Sequence, residues 1–241
     1  MTSSTSRTID DTVGAPGRRF AARAVLLDLD GTILDTVADL AVATDAMLAE
    51  IGRPPAGEER VRTWVGKGIR VLVRRALTGS RDAELPAAEI DAVMPVFERH
   101  YTRENGRSAQ AYPGAVEGLR AMHASGLRLA CVSNKAQAFV DDLLQRTGLA
   151  SLFSAIIGAR PDLPRKPDPA PLLHACALLR VEPAQAVMIG DSLNDVEAAQ
   201  AASMPVLVVP YGYNEGRPAS TLAADAHVDD LLQAAQRIRV L

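Results

Sequence analysis

Short apolar segments that alternate with helical stretches constrain the fold of this chain most. The segment AVLLDL at 24–29 is β-prone and apolar on both faces, which is typical of a central parallel strand with helices on each side. Similar segments occur at 127–132, 186–189 and 205–209, with a weaker candidate at 153–157. Strands that alternate with helices in this way predict an α/β fold with a doubly wound, mostly parallel, Rossmann-like sheet.

The stretch between the first two predicted strands is helical. No strand candidate appears between Asp35 and Pro113, where Ala, Leu, Val and Arg dominate in a helical pattern. This stretch predicts an inserted α-helical cap domain. Residues 1–20 lack apolar periodicity and predict a disordered N-terminal extension. We therefore expect an extension at 1–20, a helical cap at 37–107, and an α/β catalytic core at 21–36 and 108–241.

The charge balance and the apolar segments exclude several kinds of partner. The 241 residues include 26 basic and 29 acidic side chains, so the formal net charge of -3 offers no general attraction to nucleic acids or acidic membranes. No apolar segment approaches the roughly 20 residues that a membrane-spanning helix needs, and the polar start has no secretory signal. Two cysteines without metal-ligand spacing fit a reducing compartment. We expect a cytoplasmic monomer or homodimer.

Carboxylates gather at the predicted carboxyl ends of the strands, where open α/β sheets place their sites. Asp28 and Asp30 are two residues apart, so they face the same side of an extended chain. Such a pair needs a cation, or one carboxylate that stays protonated. Asp191 and Asp195 follow a later strand. A set of carboxylate oxygens favours Mg²⁺ over zinc, and the sequence therefore predicts a magnesium site.

Groups suited to an anion follow two other strand candidates. Ser133 and Asn134 precede a helix predicted to begin at Lys135, and the N-H groups at a helix N-terminus bind phosphate well. Lys166 lies among prolines that stiffen its backbone. Each residue alone has an ordinary explanation as a turn, a cap or an exposed lysine. Their recurrence at successive strand ends favours a binding site for a small anionic phosphate ester.

Four motifs resemble, in this order, the signature motifs of the haloacid dehalogenase superfamily: DLDGT at 28–32, SN at 133–134, KPDP at 166–169 and GDSLND at 190–195. The helical insertion after the first motif is similar to the subgroup with a helical cap. Four further segments look like those of bacterial phosphoglycolate phosphatases: TWVGKGIRVLVRRAL at 63–77, YPGA at 112–115, LPRKPDPAPLL at 163–173 and VPYGYNEG at 209–216. The resemblance, over about residues 22–235, implies a magnesium-dependent hydrolysis of 2-phosphoglycolate through an aspartyl-phosphate.

The resemblance also implies a role for each acidic residue. Asp28 would be the nucleophile, and Asp30 the general acid for the leaving group and then the base for water. Magnesium would be held by Asp28, the main-chain carbonyl of Asp30, and Asp191. Asp195 would be an outer ligand of the metal or a partner of Lys166.

The remaining implied roles concern the substrate. Ser133, Asn134 and Lys166 would bind the oxygens of the transferring phosphoryl group. In the cap, Lys67 lies between two glycines, where it could face the core and meet a substrate carboxylate. The family usually has asparagine there. The nearby Arg60, Arg62 and Arg75 are interpreted as a solvated helix face.

Two other functions compete with hydrolysis of an ester. A phosphosugar mutase of the β-phosphoglucomutase type would share the same core motifs. A phosphate-accepting signalling domain fits less well, because its phosphorylated aspartate follows a middle strand rather than the first. Asp30 favours phosphate esters over the chemistry of dehalogenases, which lack a carboxylate at that position.

Overall fold

A computed structural model describes residues 17–241. The strands in this part of the chain are β1 (Phe20–Ala22), β2 (Ala24–Leu27), β3 (Leu34–Asp35), β4 (Gln110–Ala111), β5 (Arg128–Ala136), β6 (Ala155–Ala159), β7 (Ala186–Gly190), β8 (Val206–Val208), β9 (Ala226–His227) and β10 (Ile238–Val240). The α-helices are α1 (Val37–Glu50), α2 (Glu58–Arg62), α3 (Ile69–Thr78), α4 (Ala87–Glu104), α5 (Ala115–Ala124), α6 (Gln137–Arg146), α7 (Ala170–Leu179), α8 (Leu193–Ala201) and α9 (Leu231–Arg237).

A six-stranded parallel sheet in the order β6-β5-β2-β7-β8-β9 forms the core. Side chains of β2 alternate between its faces: Val25 and Leu27 pack with α5, α6 and α9, whereas Ala24 and Leu26 pack with α7 and α8. Helices therefore cover both faces of the sheet. This arrangement confirms the predicted doubly wound α/β fold.

The inserted segment forms a helical cap with its own apolar core. Helices α1 to α4 bury side chains that include Trp64, Phe97 and Tyr101. The short strands β3 and β4 pair antiparallel, so the chain enters and leaves the insertion at adjacent points. The predicted cap domain is confirmed, and we retain 37–107 as its proposed extent beside a core of 21–36 and 108–241.

The N-terminal boundary differs from the expectation of a disordered extension over residues 1–20. Residues 1–16 of that segment lie outside the described part of the chain. Phe20 is only 5% exposed, because β1 pairs in parallel with β10 at the far end of the sequence. Phe20 therefore belongs to the folded core, and the pairing with a distant strand is invisible to local periodicity.

The helix predicted to begin at Lys135 begins two residues later. Strand β5 continues to Ala136, with an irregular register against β6 between Val132 and Ala136, and α6 starts at Gln137. Ser133 and Asn134 are therefore in an irregular strand rather than at a helix N-terminus. Within residues 17–241, no helix combines the length and the apolar character that crossing a membrane requires.

Candidate active site

Three carboxylates meet at the carboxyl edge of the sheet. Asp28 follows β2, Asp191 follows β7, and Asp195 lies in the first turn of α8. One oxygen from each lies within 4.8 Å of the others. In the sheet, β5 lies on one side of β2 and β7 lies on the other. The carboxyl edge beside β2 is therefore the crevice in which open α/β sheets bind ligands.

Lys166 links two of these carboxylates. Its Nζ donates hydrogen bonds to Val132 O at 2.6 Å and to Asp195 Oδ1 at 2.7 Å, and it forms an ion pair with Asp28 Oδ1 at 3.0 Å. The buried Asp28 Oδ1 has no hydrogen-bond partner in the described chain, so the ion pair is its contact with Lys166. The lysine therefore offsets charge at Asp28 while leaving that oxygen unbonded.

The carboxylate cluster carries more negative charge than its surroundings balance. Burial raises the pKa of Asp28 to about 7; Asp195 and Asp30 add to the rise, and Lys166 opposes it. Burial also raises the pKa of Asp191 well above its usual range, although Tyr213 N and Thr32 Oγ1 donate hydrogen bonds to it. Clustered carboxylates and an unbonded buried oxygen fit a hard divalent cation.

Asp195 is oriented by the start of its own helix. Ser192 donates from both its backbone N and its Oγ to Asp195 Oδ2, at 3.1 and 2.7 Å. The other oxygen, Oδ1, accepts from Lys166. Of the two roles expected for Asp195, the contact with Lys166 is the one that this geometry displays.

Asp30 is held by two residues that the motif analysis did not identify. Its Oδ1 accepts hydrogen bonds from Thr36 Oγ1 at 2.6 Å and from Lys135 Nζ at 3.0 Å. Lys135 is almost fully buried and also donates to the hydroxyl of Tyr101 in the cap. Lys135 directly follows the SN motif, but its predicted place in a helix concealed this contact.

Ser133 and Asn134 are near the carboxylates but are engaged within the protein. Asn134 Nδ2 donates to Lys166 O at 2.8 Å and to Gly66 O in the cap at 3.2 Å. Ser133 Oγ accepts from Lys135 N at 3.3 Å. Both residues line a cavity of about 40 Å³ together with Asp28 and Asp30. Their binding of phosphate stays a prediction.

A larger cavity of about 250 Å³ lies between core and cap. Its lining includes Asp28, Asp30, Lys166 and Asp191 from the sequence motifs. Three further cationic side chains also line it: Lys67, Arg165 and Arg217. The space therefore suits a small anionic molecule.

Glu215 connects the cap to the core beside this cavity. It forms ion pairs with Arg75, whose side chain is 3% exposed, and with Lys67 Nζ at 3.7 Å. Arg75 also donates to Trp64 O at 2.8 Å. The interpretation of Arg75 as part of a solvated helix face is therefore wrong, because its partner lies 140 residues away in the core and cannot be inferred from helix periodicity.

Known proteins resemble this chain over most of its length. Residues 22–203 match the family model of haloacid dehalogenase-like hydrolases. The phosphoglycolate phosphatase of Thiobacillus denitrificans is 47% identical, covering 88% of this chain and 94% of that protein. The phosphoglycolate phosphatase of Nitrosospira multiformis is 45% identical, covering 90% and 96%.

A solved structure agrees with these sequence matches. The crystal structure of a predicted phosphoglycolate phosphatase from Haemophilus somnus has a TM-score of 0.83 and 32% identity, covering 89% of this chain and 97% of that one. The family match and the named relatives confirm the predicted resemblance and the predicted class of phosphoric monoester hydrolase. The chain belongs to the haloacid dehalogenase-like hydrolases.

Proposed function

We propose that this enzyme hydrolyses 2-phosphoglycolate to glycolate and phosphate. The observation that carries the proposal is the cavity of about 250 Å³, which is lined both by Asp28 and by the cationic side chains of Lys67, Arg165 and Arg217. A substrate with a phosphate and a carboxylate has one anionic group to react at Asp28 and a second for these cations to bind. Relatives named phosphoglycolate phosphatase match 86% or more of this chain, which supports the same substrate.

The proposed reaction has two steps. A carboxylate oxygen of Asp28 attacks phosphorus, the bond from phosphorus to the ester oxygen breaks, and that oxygen takes a proton from Asp30. Water then attacks the phosphorus of the aspartyl-phosphate and transfers a proton to Asp30. This step releases phosphate and restores the Asp28 carboxylate. Asp30 is the proton donor and acceptor because it lines the cavity beside Asp28.

The positive charge of Lys166 supports both steps. Its ammonium group lies within 3.0 Å of Asp28 and within 2.7 Å of Asp195, so its position is set by two carboxylates and by Val132 O. We assign Lys166, Ser133 and Asn134 to the binding of the phosphoryl oxygens. A fixed ammonium group stabilises charge on those oxygens without needing to reorganise.

Magnesium is the cation that we propose for the carboxylate cluster. Asp28, Asp191 and the main-chain carbonyl of Asp30 would hold it, while Asp195 remains with Lys166 and Ser192. When bound, Mg²⁺ would supply positive charge that reduces repulsion between the phosphate group and the carboxylates. We retain the cytoplasm as the location, and a monomer or homodimer as the oligomeric state.

A panel of phosphate esters assayed with Mg²⁺ tests the proposed substrate. The panel contains 2-phosphoglycolate, glucose 1-phosphate, nucleotides and pyrophosphate, and we expect the highest kcat/KM with 2-phosphoglycolate. A higher kcat/KM for another ester would replace the substrate assignment. Conversion of β-glucose 1-phosphate to glucose 6-phosphate would indicate a phosphosugar mutase, an alternative that the names of the relatives do not favour.

A further inference from the structure

Lys135 is a buried cation to which the mechanism above gives no role. The chain contains only three lysines, Lys67, Lys135 and Lys166, and all three line the cavities around Asp28 and Asp30. All other basic residues except histidine are arginines. An ammonium group is compact and can sit against a single carboxylate oxygen, whereas a guanidinium group presents a broad fork. Lysine at position 135 therefore fits contact with one oxygen of one carboxylate.

The contact with Lys135 makes the two carboxylate oxygens of Asp30 inequivalent. Oδ1 accepts from both Lys135 Nζ and Thr36 Oγ1, at 3.0 and 2.6 Å. Oδ2 accepts no hydrogen bond from the residues that the structure describes, and Asp30 lines both cavities. A proton exchanged with substrate or water is consequently carried by Oδ2, because the lone pairs of Oδ1 are already engaged.

The other side of Lys135 is held by the cap. Its Nζ donates to the hydroxyl of Tyr101 and lies 4.9 Å from the centre of that ring. Tyr101 is fully buried on α4, where it packs on Phe97 and Phe139. The ammonium group is thus fixed between a core carboxylate and a rigid aromatic residue of the inserted domain.

We infer that Lys135, held by Tyr101 of the cap, is a positioning residue for the acid-base group Asp30. Lys135 binds Oδ1, which orients the carboxyl group and leaves Oδ2 for proton exchange. A leaving group that must be protonated depends more on the placement of that oxygen than one that departs without a proton. This inference rests on the proposed hydrolysis of phosphate esters by Asp28 and Asp30.

The test compares an alkyl ester with an aryl ester, since an aryl leaving group needs little protonation. Asp30→Asn sets the benchmark, with a larger loss of kcat for 2-phosphoglycolate than for 4-nitrophenyl phosphate. For Lys135→Met, we expect kcat for 2-phosphoglycolate to fall about 30- to 100-fold and kcat for the aryl ester less than about fivefold. KM should change less than about twofold for either ester.

Tyr101→Phe keeps the ring and removes the hydroxyl, so it tests the cap contact even if Lys135→Met fails to fold. We again expect kcat to fall more for the alkyl ester than for the aryl ester, by about 3- to 10-fold for the alkyl ester. Tyr112→Phe is the matched control, because the buried Tyr112 hydroxyl has no hydrogen-bond partner in residues 17–241. It should leave the ratio of the two kcat values unchanged.

The outcomes separate this inference from the proposed function. Equal losses on both esters, or a rise in KM at constant kcat, would overturn the positioning role while leaving hydrolysis intact. No preference with Asp30→Asn itself would overturn the acid role of Asp30, and absence of phosphate-ester hydrolysis by the wild-type enzyme would overturn both proposals. If another alkyl ester proves to be the substrate, the same comparison is made with that ester.

Discussion

Asp28 carries a negative charge that the surrounding protein balances only in part. Burial and the neighbouring carboxylates raise its pKa to about 7 despite the ion pair with Lys166 at 3.0 Å. The position is therefore costly for stability and is explained by reactivity. We propose that this carboxylate attacks phosphorus, with the ammonium group of Lys166 fixed beside it.

We predict that Asp28→Asn lowers kcat at least about 1000-fold, because an amide is too weak a nucleophile to form the aspartyl-phosphate. The free energy of unfolding should fall by no more than about 1 kcal/mol, since a neutral amide removes repulsion from the other carboxylates and Lys166 keeps its bond to Asp195. Steady-state assays and urea denaturation measure the two quantities. Activity close to wild type would remove Asp28 from the mechanism.

Lys67 tests how the substrate is recognised. Its side chain is 47% exposed, lines the larger cavity and lies 3.7 Å from Glu215. If Lys67 contacts the substrate carboxylate, Lys67→Ala should lower kcat/KM for 2-phosphoglycolate. The ratio of the two kcat/KM values should correspond to a loss of about 1.5 to 3 kcal/mol in transition-state stabilisation, the range for a hydrogen bond to a charged group. The value for 4-nitrophenyl phosphate, which has no carboxylate, should hardly change. Parallel losses would assign Lys67 to general electrostatics or to cap structure.

Candidate residues that follow strands of the sheet could be predicted from the sequence. Residues that are recognised only from a contact with a distant part of the chain could not. Asp28, Lys166 and Asp191 follow strands, and parallel strands bring their carboxyl ends to one edge of a sheet. Tyr101 meets Lys135 only because the cap folds back over the core, across 34 positions of the chain. Sequence periodicity does not reveal such a contact, so the sequence predicts for Lys135 only the start of a helix.

Among the elements, β5 shows how local signals compete with sheet pairing. Ser133 and Asn134 are residue types that begin helices, and they led to a helix start at Lys135. In the structure, the strand continues with a shifted register against β6, and α6 begins at Gln137. The irregular end of β5 places Lys135 Nζ 3.0 Å from Asp30 Oδ1. The predicted helix start at Lys135 gave no reason to expect this contact.

The contact between α3 and the loop that follows β8 joins the two domains. Glu215 accepts from the buried Arg75 and also faces Lys67, and its backbone carbonyl accepts from Arg81. Because all three cations belong to the cap, Glu215 is the core residue on which these cap side chains converge. Its loss would leave the Arg75 guanidinium buried without a carboxylate partner.

We predict that Glu215→Gln lowers the free energy of unfolding by about 1 to 2 kcal/mol, a value reduced for the partial exposure of Glu215. It should also raise KM for 2-phosphoglycolate, because the cap then rests less firmly over the cavity. Glu197→Gln is the control, since Glu197 lines the same cavity and forms no ion pair within residues 17–241. Urea denaturation and initial-rate assays provide the comparison, and equal effects of both variants would contradict a specific role for Glu215.

For the whole molecule, a cation held by the carboxylate cluster would couple metal binding to folding. Asp28 follows β2, whereas Asp191 and Asp195 lie at the junction of β7 and α8, so the oxygens of all three lie within 4.8 Å of one another only in the folded chain. A cation held there binds the native state and not the unfolded one, and it therefore stabilises the entire fold. The size of this stabilisation depends on pH, because protons compete with the cation for the same oxygens.

The sign of that pH dependence follows from the raised pKa of Asp28. Its pKa is about 7 in the fold against 3.8 without the fold, so the native state binds the extra proton. Without a divalent cation, the contribution of Asp28 to stability is present at low pH and is lost as the pH rises from about 4 to about 7. The deprotonated form of Asp28, which destabilises the fold when no cation is bound, is also the form that binds a cation.

We therefore predict that Mg²⁺ raises Tm more at pH 8 than at pH 5.5. At a concentration of about 100 times Kd, the stabilisation at the higher pH should be near 2.7 kcal/mol. Asp191→Asn should remove most of the Tm rise and increase the Mg²⁺ concentration for half-maximal activity, because one charged ligand becomes neutral. Thermal melts of metal-free enzyme with and without Mg²⁺ test this at both values of pH. An equal rise in the variant would show that the cation binds elsewhere, and full activity in a chelator would exclude a required divalent metal.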